Sequence, residues 1–74
     1  MNEKQIINYI LDAKEKYDRA NLIPPRLLLL PFDVYYIMQR FDNKKKDYSR
    51  GKMLFGMVID YSYEIKEIEI NPYL

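Results

Sequence analysis

The 74-residue chain has no cysteine, histidine, tryptophan or threonine, and only two glycines and two serines. Without cysteine there is no disulfide and no thiolate nucleophile, and without histidine there is no imidazole base. The usual zinc ligands disappear with both. Two glycines leave no phosphate-cradling loop, and neither Ser49 nor Ser62 sits in a Gly-x-Ser-x-Gly elbow. The carboxylates Asp60, Glu64, Glu67 and Glu69 lack the spacing of a cation-binding loop. Catalytic residues, a cofactor and a metal are therefore not expected. The longest apolar run, Met53 to Ile59, is far below the ~20 residues of a membrane span, and the N-terminus lacks the apolar core of a signal peptide. A cytoplasmic protein with no membrane contact is expected, and the absence of cysteine suits a reducing compartment.

What is present belongs to a folded chain. Hydrophobic residues make up 49% of the sequence against a formal net charge of +1, too apolar and too weakly charged for disorder. At this length there is room for a single domain, 1–74, near the lower limit for a core that no disulfide or metal supports. Burying further apolar surface against a copy of itself or another protein would help such a chain, so a homo-oligomer is expected. The abundance of Ile, Lys, Asn and Tyr is that of an AT-rich coding sequence, as in many low-GC bacteria and their phages.

Periodicity supplies the elements. Ile6, Ile7, Ile10, Leu11, Ala13 and Tyr17 recur at three- and four-residue spacing, which predicts an amphipathic helix from Glu3 to about Arg19. Asn2 can cap it, and Asp12 and Lys16 stand four apart on its wet face. Pro24 and Pro25 stop it, since proline lacks an amide donor and drives its predecessor towards extended geometry. The short run Arg26 to Leu30 suits a strand buried on both faces. A second helix is expected from Pro31 to about Asp42, with Val34, Ile37, Met38 and Phe41 as its apolar stripe. Residues 43–52 read as a polar loop. Met53 to Tyr61 reads as the central strand, with Gly56 at a bulge or close approach, and Glu67 to Ile70 as a half-buried strand paired back onto it. The fold expected is α+β in the order α-β-α-β-β, with helices on a three-stranded sheet that ends in an antiparallel hairpin. Ile10, Leu29, Ile37, Phe41, Val58 and Ile68 are its expected core.

Two features are candidates for binding. The first is the loop, where Lys44, Lys45, Lys46, Arg50 and Lys52 stand against one acid, Asp47, for a net +4. Its cations can meet phosphates and Tyr48 can offer a stacking face. Charged loops in nearly neutral proteins are usually just solvated, however, and a dedicated nucleic-acid binder would be basic throughout. The second is the excess of tyrosine, eight in all. They cannot all be core in so small a fold, and exposed tyrosines are enriched where proteins meet. Tyr35 and Tyr36 point about 100° apart on the second helix, so one must leave its apolar stripe, and Tyr36 is the better candidate. Tyr61 and Tyr63 join it as candidate contacts.

From Leu22 onward the order of signals resembles a segment of the major coat proteins of tailed phages. The matching residues are Pro25-Arg-Leu-Leu-Leu-Leu-Pro-Phe-Asp-Val-Tyr-Tyr-Ile-Met38, then Gly51-Lys-Met-Leu-Phe-Gly-Met-Val-Ile-Asp60, then Glu67-Ile-Glu-Ile70. The resemblance covers about fifty residues and carries a strand, a helix and a hairpin but no catalytic or binding motif. It lacks the spine helix and extended arm of a complete coat protein. It implies a coat-like fragment or a small phage accessory protein, located in the host cytoplasm or the virion. The first expectation is thus a non-catalytic phage or mobile-element type protein that binds a protein or assembles with itself. The alternative is a small regulator or inhibitor that uses residues 43–52 to bind a host protein or nucleic acid.

Overall fold

The structure, a computed structural model, describes residues 1–41 and 46–74. Helix α1 spans Glu3–Ala20. Asn2 caps it as its sequence suggests: its side chain accepts from the Gln5 amide at 2.8 Å, and the Gln5 side chain accepts from the Asn2 amide at 2.9 Å. The ion pairs on its wet face are Lys14–Asp18 and Glu15–Arg19. The extended Asn21 ends the helix, and the Tyr17 hydroxyl donates to the Ile23 carbonyl at 2.9 Å, fastening the connector that follows.

Strand β1, Leu27–Pro31, passes into helix α2, Phe32–Met38, with no intervening residue. Pro31 was expected as the first helical residue. It instead ends the strand in an extended conformation, φ −54° and ψ 142°, and serves as the N-cap. The helix narrows into a 3₁₀ turn over Gln39–Phe41. Asp42, the end expected for this helix, lies outside the described residues.

The stretch expected as one central strand is a hairpin. Strand β2, Met53–Leu54, turns at Phe55 and Gly56 into β3, Met57–Ser62. Both turn residues have positive φ, 51° and 80°, the arrangement of a two-residue turn whose twist matches its strands. Gly56 adopts this at no steric cost, whereas Phe55 is in a region that few non-glycine residues enter. Strand β4 is Glu69–Asn71.

These strands form one four-stranded sheet in the order β2-β3-β1-β4. The α+β class agrees with the sequence, but the strand number and pairing differ from expectation. β1 lies parallel to β3, with Leu28 opposite Ile59 and Leu30 opposite Tyr61. β4 does not fold back onto β3. It pairs antiparallel with β1, with Leu28 opposite Ile70, so the expected C-terminal hairpin is replaced by the β2–β3 hairpin. The physical reason is the makeup of β1: four consecutive leucines make it the most apolar strand, and an interior position hides both of its edges.

Alternation along the sheet then decides the core. Leu28, Leu30, Met57 and Ile59 point to one face and are buried with Ile6 and Ile10 of α1 and Val34 and Met38 of α2. Of the expected core residues, Ile10 is central, while Ile37, Phe41 and Ile68 are half-buried against the cluster. Leu29 and Val58 belong to the opposite parity and face away from the helices. We therefore expect Leu28→Ala to cost about 2–5 kcal/mol of folding stability and Leu29→Ala less than about half as much. Chemical denaturation at low micromolar chain concentration measures both; equal losses would contradict the assignment of the two faces.

Candidate functional site

The direct passage from β1 to α2 sets the first turn of the helix over the carboxyl end of its own strand. Because β3 runs parallel to β1, Tyr61 and Ser62 finish at the same border, opposite Leu30 and Pro31. Carboxyl ends of parallel strands are where ligands gather in α/β sheets, and here that border is aromatic. Phe32 stacks on Tyr63 with ring centroids 4.4 Å apart and meets Tyr61 edge-on at 5.2 Å. Tyr35 lies 4.7 Å from Tyr61, and Tyr36 is 6.3 Å from Phe32. Spacing brings each half together, since Phe32, Tyr35 and Tyr36 share a helix face while Tyr61 and Tyr63 are two apart on a strand. The parallel pairing joins the halves.

Two arginines border the rings. The Arg40 guanidinium sits 5.4 Å from the Tyr36 ring centre, and that of Arg50 sits 5.6 Å from Tyr61. Arg50 is held from two sides: its Nε is 2.8 Å from the Asp60 carboxylate, and its backbone N–H donates to the Tyr35 hydroxyl at 3.0 Å. The outer rings remain open to solvent, Tyr63 at 73% and Tyr36 at 55% exposure. The result is a supported aromatic surface with two open tyrosines at its edge. It carries no nucleophile paired with a base, and it has the features of a contact surface: aromatic rings, arginine and little flexible chain.

No family model, no curated protein sequence and no solved structure matches this chain.

Four residues singled out in the sequence, Tyr36, Arg50, Tyr61 and Tyr63, meet at this surface. The others do not. Lys44 and Lys45 lie outside the described residues. Tyr48, expected as an exposed stacking face, is buried at 7% exposure within the core cluster. Its hydroxyl donates to one oxygen of Glu3 at 3.0 Å, and Lys46 Nζ lies 2.9 Å from the other. Part of the basic segment is thus fastened to the start of α1, because an apolar ring is worth more beneath the helix than in water. Lys52 is exposed, 3.8 Å from Asp47, whose carboxylate also accepts from the Ser49 side chain and backbone. Phe32 and Arg40 did not stand out in the sequence, and Tyr35 was set aside there in favour of Tyr36. The three- and four-residue spacing from Phe32 to Tyr35 and Tyr36 was the available signal, obscured by the stronger Val34 stripe.

The described residues also form a cleft of about 330 Å³ between α1 and the segment before β4, lined by Tyr9, Asp12, Ala13, Lys16, Glu67 and Ile68. Its charges are mixed, and no three carboxylates gather for a metal anywhere among the described residues. No described helix is long and apolar enough to cross a membrane.

The Glu3 contact makes a pH prediction. The hydrogen bond from Lys46 holds the Glu3 carboxyl below its ordinary pKa, assisted by the Tyr48 hydroxyl, and the same contact raises Lys46. A carboxylate whose pKa is lowered by folding stabilises the folded state above its unfolded pKa, and that contribution is lost as pH falls through the lowered folded value. The packing of Tyr48, followed by its ring resonances, should hold at neutral pH and loosen in acid below the ordinary glutamate range. Glu3→Gln should remove this step. An identical acid transition in Glu3→Gln would assign it to another carboxylate.

Proposed function

We propose that this chain acts without catalysis, by binding another protein through the aromatic surface of Phe32, Tyr36, Tyr61 and Tyr63. The observation that carries the reading is the exposure of Tyr36 and Tyr63 at the edge of a ring cluster whose inner members fix their positions. Aromatic side chains bury large areas at little entropic cost and dominate the energetics of protein contacts. The likeness to tailed-phage coat segments agrees with this reading, and it supports taking the chain as a small phage or mobile-element type protein of the host cytoplasm or the virion, with another structural protein as its partner.

Charge favours a protein over nucleic acid. Each described cation of the basic segment already has a carboxylate beside it: Lys46 has Glu3, Arg50 has Asp60, and Lys52 has Asp47. A phosphate backbone would have to compete with these acids, and the counterion release that drives nucleic-acid binding would shrink accordingly. A contact centred on tyrosine has no such requirement and should tolerate salt.

The test is comparative affinity capture from host lysate, using the wild-type chain and the double variant Tyr36→Ala/Tyr63→Ala. A specific protein should be retained by the wild type in about 0.5 M salt, where charge-driven contacts are screened within a few ångström, and the variant should lose it with its melting temperature nearly unchanged. Capture of nucleic acid that salt releases, or a partner that the variant retains, would overturn the reading.

A further inference from the structure

The connector between α1 and β1 leaves apolar side chains in the open. The chain bends at Leu22 and Ile23, where Leu22 is fully exposed and Ile23 half exposed, and Pro24 and Arg26 are exposed beyond them. Proline fixes φ near −65° and holds its predecessor extended, so the stretch from Ile23 to Pro25 is preset for polyproline II geometry. The segment is also fixed in place. The Tyr17 hydroxyl holds the Ile23 carbonyl, and the Arg26 backbone is bonded to Asn71 on one side and Val58 on the other. The Arg26 side chain, by contrast, has no ion pair or hydrogen bond among the described residues.

The aromatic surface has the complementary chemistry. Tyr36 and Tyr63 each contact Phe32 but not each other, which leaves Phe32 as the floor of a shallow gap between two exposed rings. Aromatic-lined gaps are where polyproline II segments dock, because their prolines are stiff before binding and their carbonyls are free to accept hydrogen bonds. The hydroxyls of Tyr36 and Tyr63 have no partner among the described residues and can donate to such carbonyls. Directly after Phe32 and Tyr63 stand Asp33 and Glu64, both exposed and neither paired with a cation among the described residues. We infer that this gap takes residues 22–26 of a second copy of the chain, with Ile23 and the prolines against the rings and Arg26 against Asp33 and Glu64.

The topology makes the contact intermolecular. Residues 22–26 enter the amino end of β1, whereas the rings lie at its carboxyl end, about 17 Å away along five strand residues. A segment fastened at one end of the strand cannot fold back to the other, so each copy offers its segment to the next. Such a head-to-tail contact uses two different patches and does not stop at two copies. The inference rests on the reading of the aromatic surface as a protein contact and adds a second copy of the chain as an occupant.

Sedimentation equilibrium of the full chain from about 10 µM to 1 mM tests it, the range of a weak peptide contact. The wild type should grow beyond dimer as concentration rises. A segment variant, Leu22→Asp/Arg26→Glu, changes only exposed side chains, and a surface variant, Tyr36→Ala/Tyr63→Ala, removes the rings; each alone should stay monomeric. Their equimolar mixture should form a dimer and nothing larger, since only one productive contact remains between them. As a second arm, a blocked synthetic peptide of residues 20–27 should shift the Tyr36 and Tyr63 ring resonances of the wild type, and the same peptide with both prolines changed to alanine should bind at least about tenfold more weakly. A wild type monomeric to 1 mM, a segment variant that associates like the wild type, a mixture that stays monomeric, or a peptide that leaves the rings unmoved would overturn the inference. Capture of another protein through Tyr36 and Tyr63 could survive any of these results, so the two readings fail separately.

Discussion

The parallel pairing of β1 with β3 is the constraint on which the rest of this small fold depends. Parallel neighbours cannot be joined by a tight turn, so the chain must cross over between them, and α2 makes that crossing. The crossing carries Val34 and Met38 onto the same side as Leu28, Leu30, Met57 and Ile59, where Ile6 and Ile10 of α1 complete a single cluster. In an antiparallel arrangement, Leu30 and Tyr61 would not finish at a common border. The aromatic surface is thus a product of strand direction as much as of composition.

The same pairing explains how polar groups are distributed. With the core on one face of the sheet, charged side chains fall at its borders and on the outer side of α1, and no buried side-chain polar atom among the described residues lacks a hydrogen-bond partner. Most of the ion pairs are exposed, and pairs of that kind add little to stability. Their importance is positional. Asp60 keeps Arg50 beside Tyr61, and Glu3 keeps Lys46 and Tyr48 against α1. In the proposed protein contact, Asp60 thereby holds Arg50 beside the tyrosine rings.

Local structure was legible in the sequence wherever a local rule governs it. The span of α1, its Asn2 cap and the apolar stripe of α2 followed from helical periodicity, since residues three and four apart decide them. Pairing was not legible. Met53 to Tyr61 is apolar at both parities, so no alternation exposed the turn, and the sign lay instead in Phe55-Gly56, where only Gly56 stood out as a residue suited to positive φ. Likewise Leu27 to Leu30 cannot show which leucines face the helices, and Leu29 was expected in the core where Leu28 and Leu30 stand. Tyr48 was misjudged for a different reason: its neighbours are all polar, and the contact that buries it comes from Glu3, 45 residues earlier. The candidate surface was half legible, as Tyr36, Tyr61 and Tyr63 stood out while Phe32 and Tyr35 needed the sheet to connect them.

Strand direction is therefore the claim most worth measuring, and interstrand nuclear Overhauser contacts measure it directly. Backbone contacts should advance together along both strands, Leu28 with Ile59 and then Leu30 with Tyr61, with a separate antiparallel ladder between Leu28 and Ile70. Contacts between β3 and residues 67–70, as a C-terminal hairpin would give, with none between β1 and β3, would contradict this pattern and remove the aromatic surface along with the parallel pair.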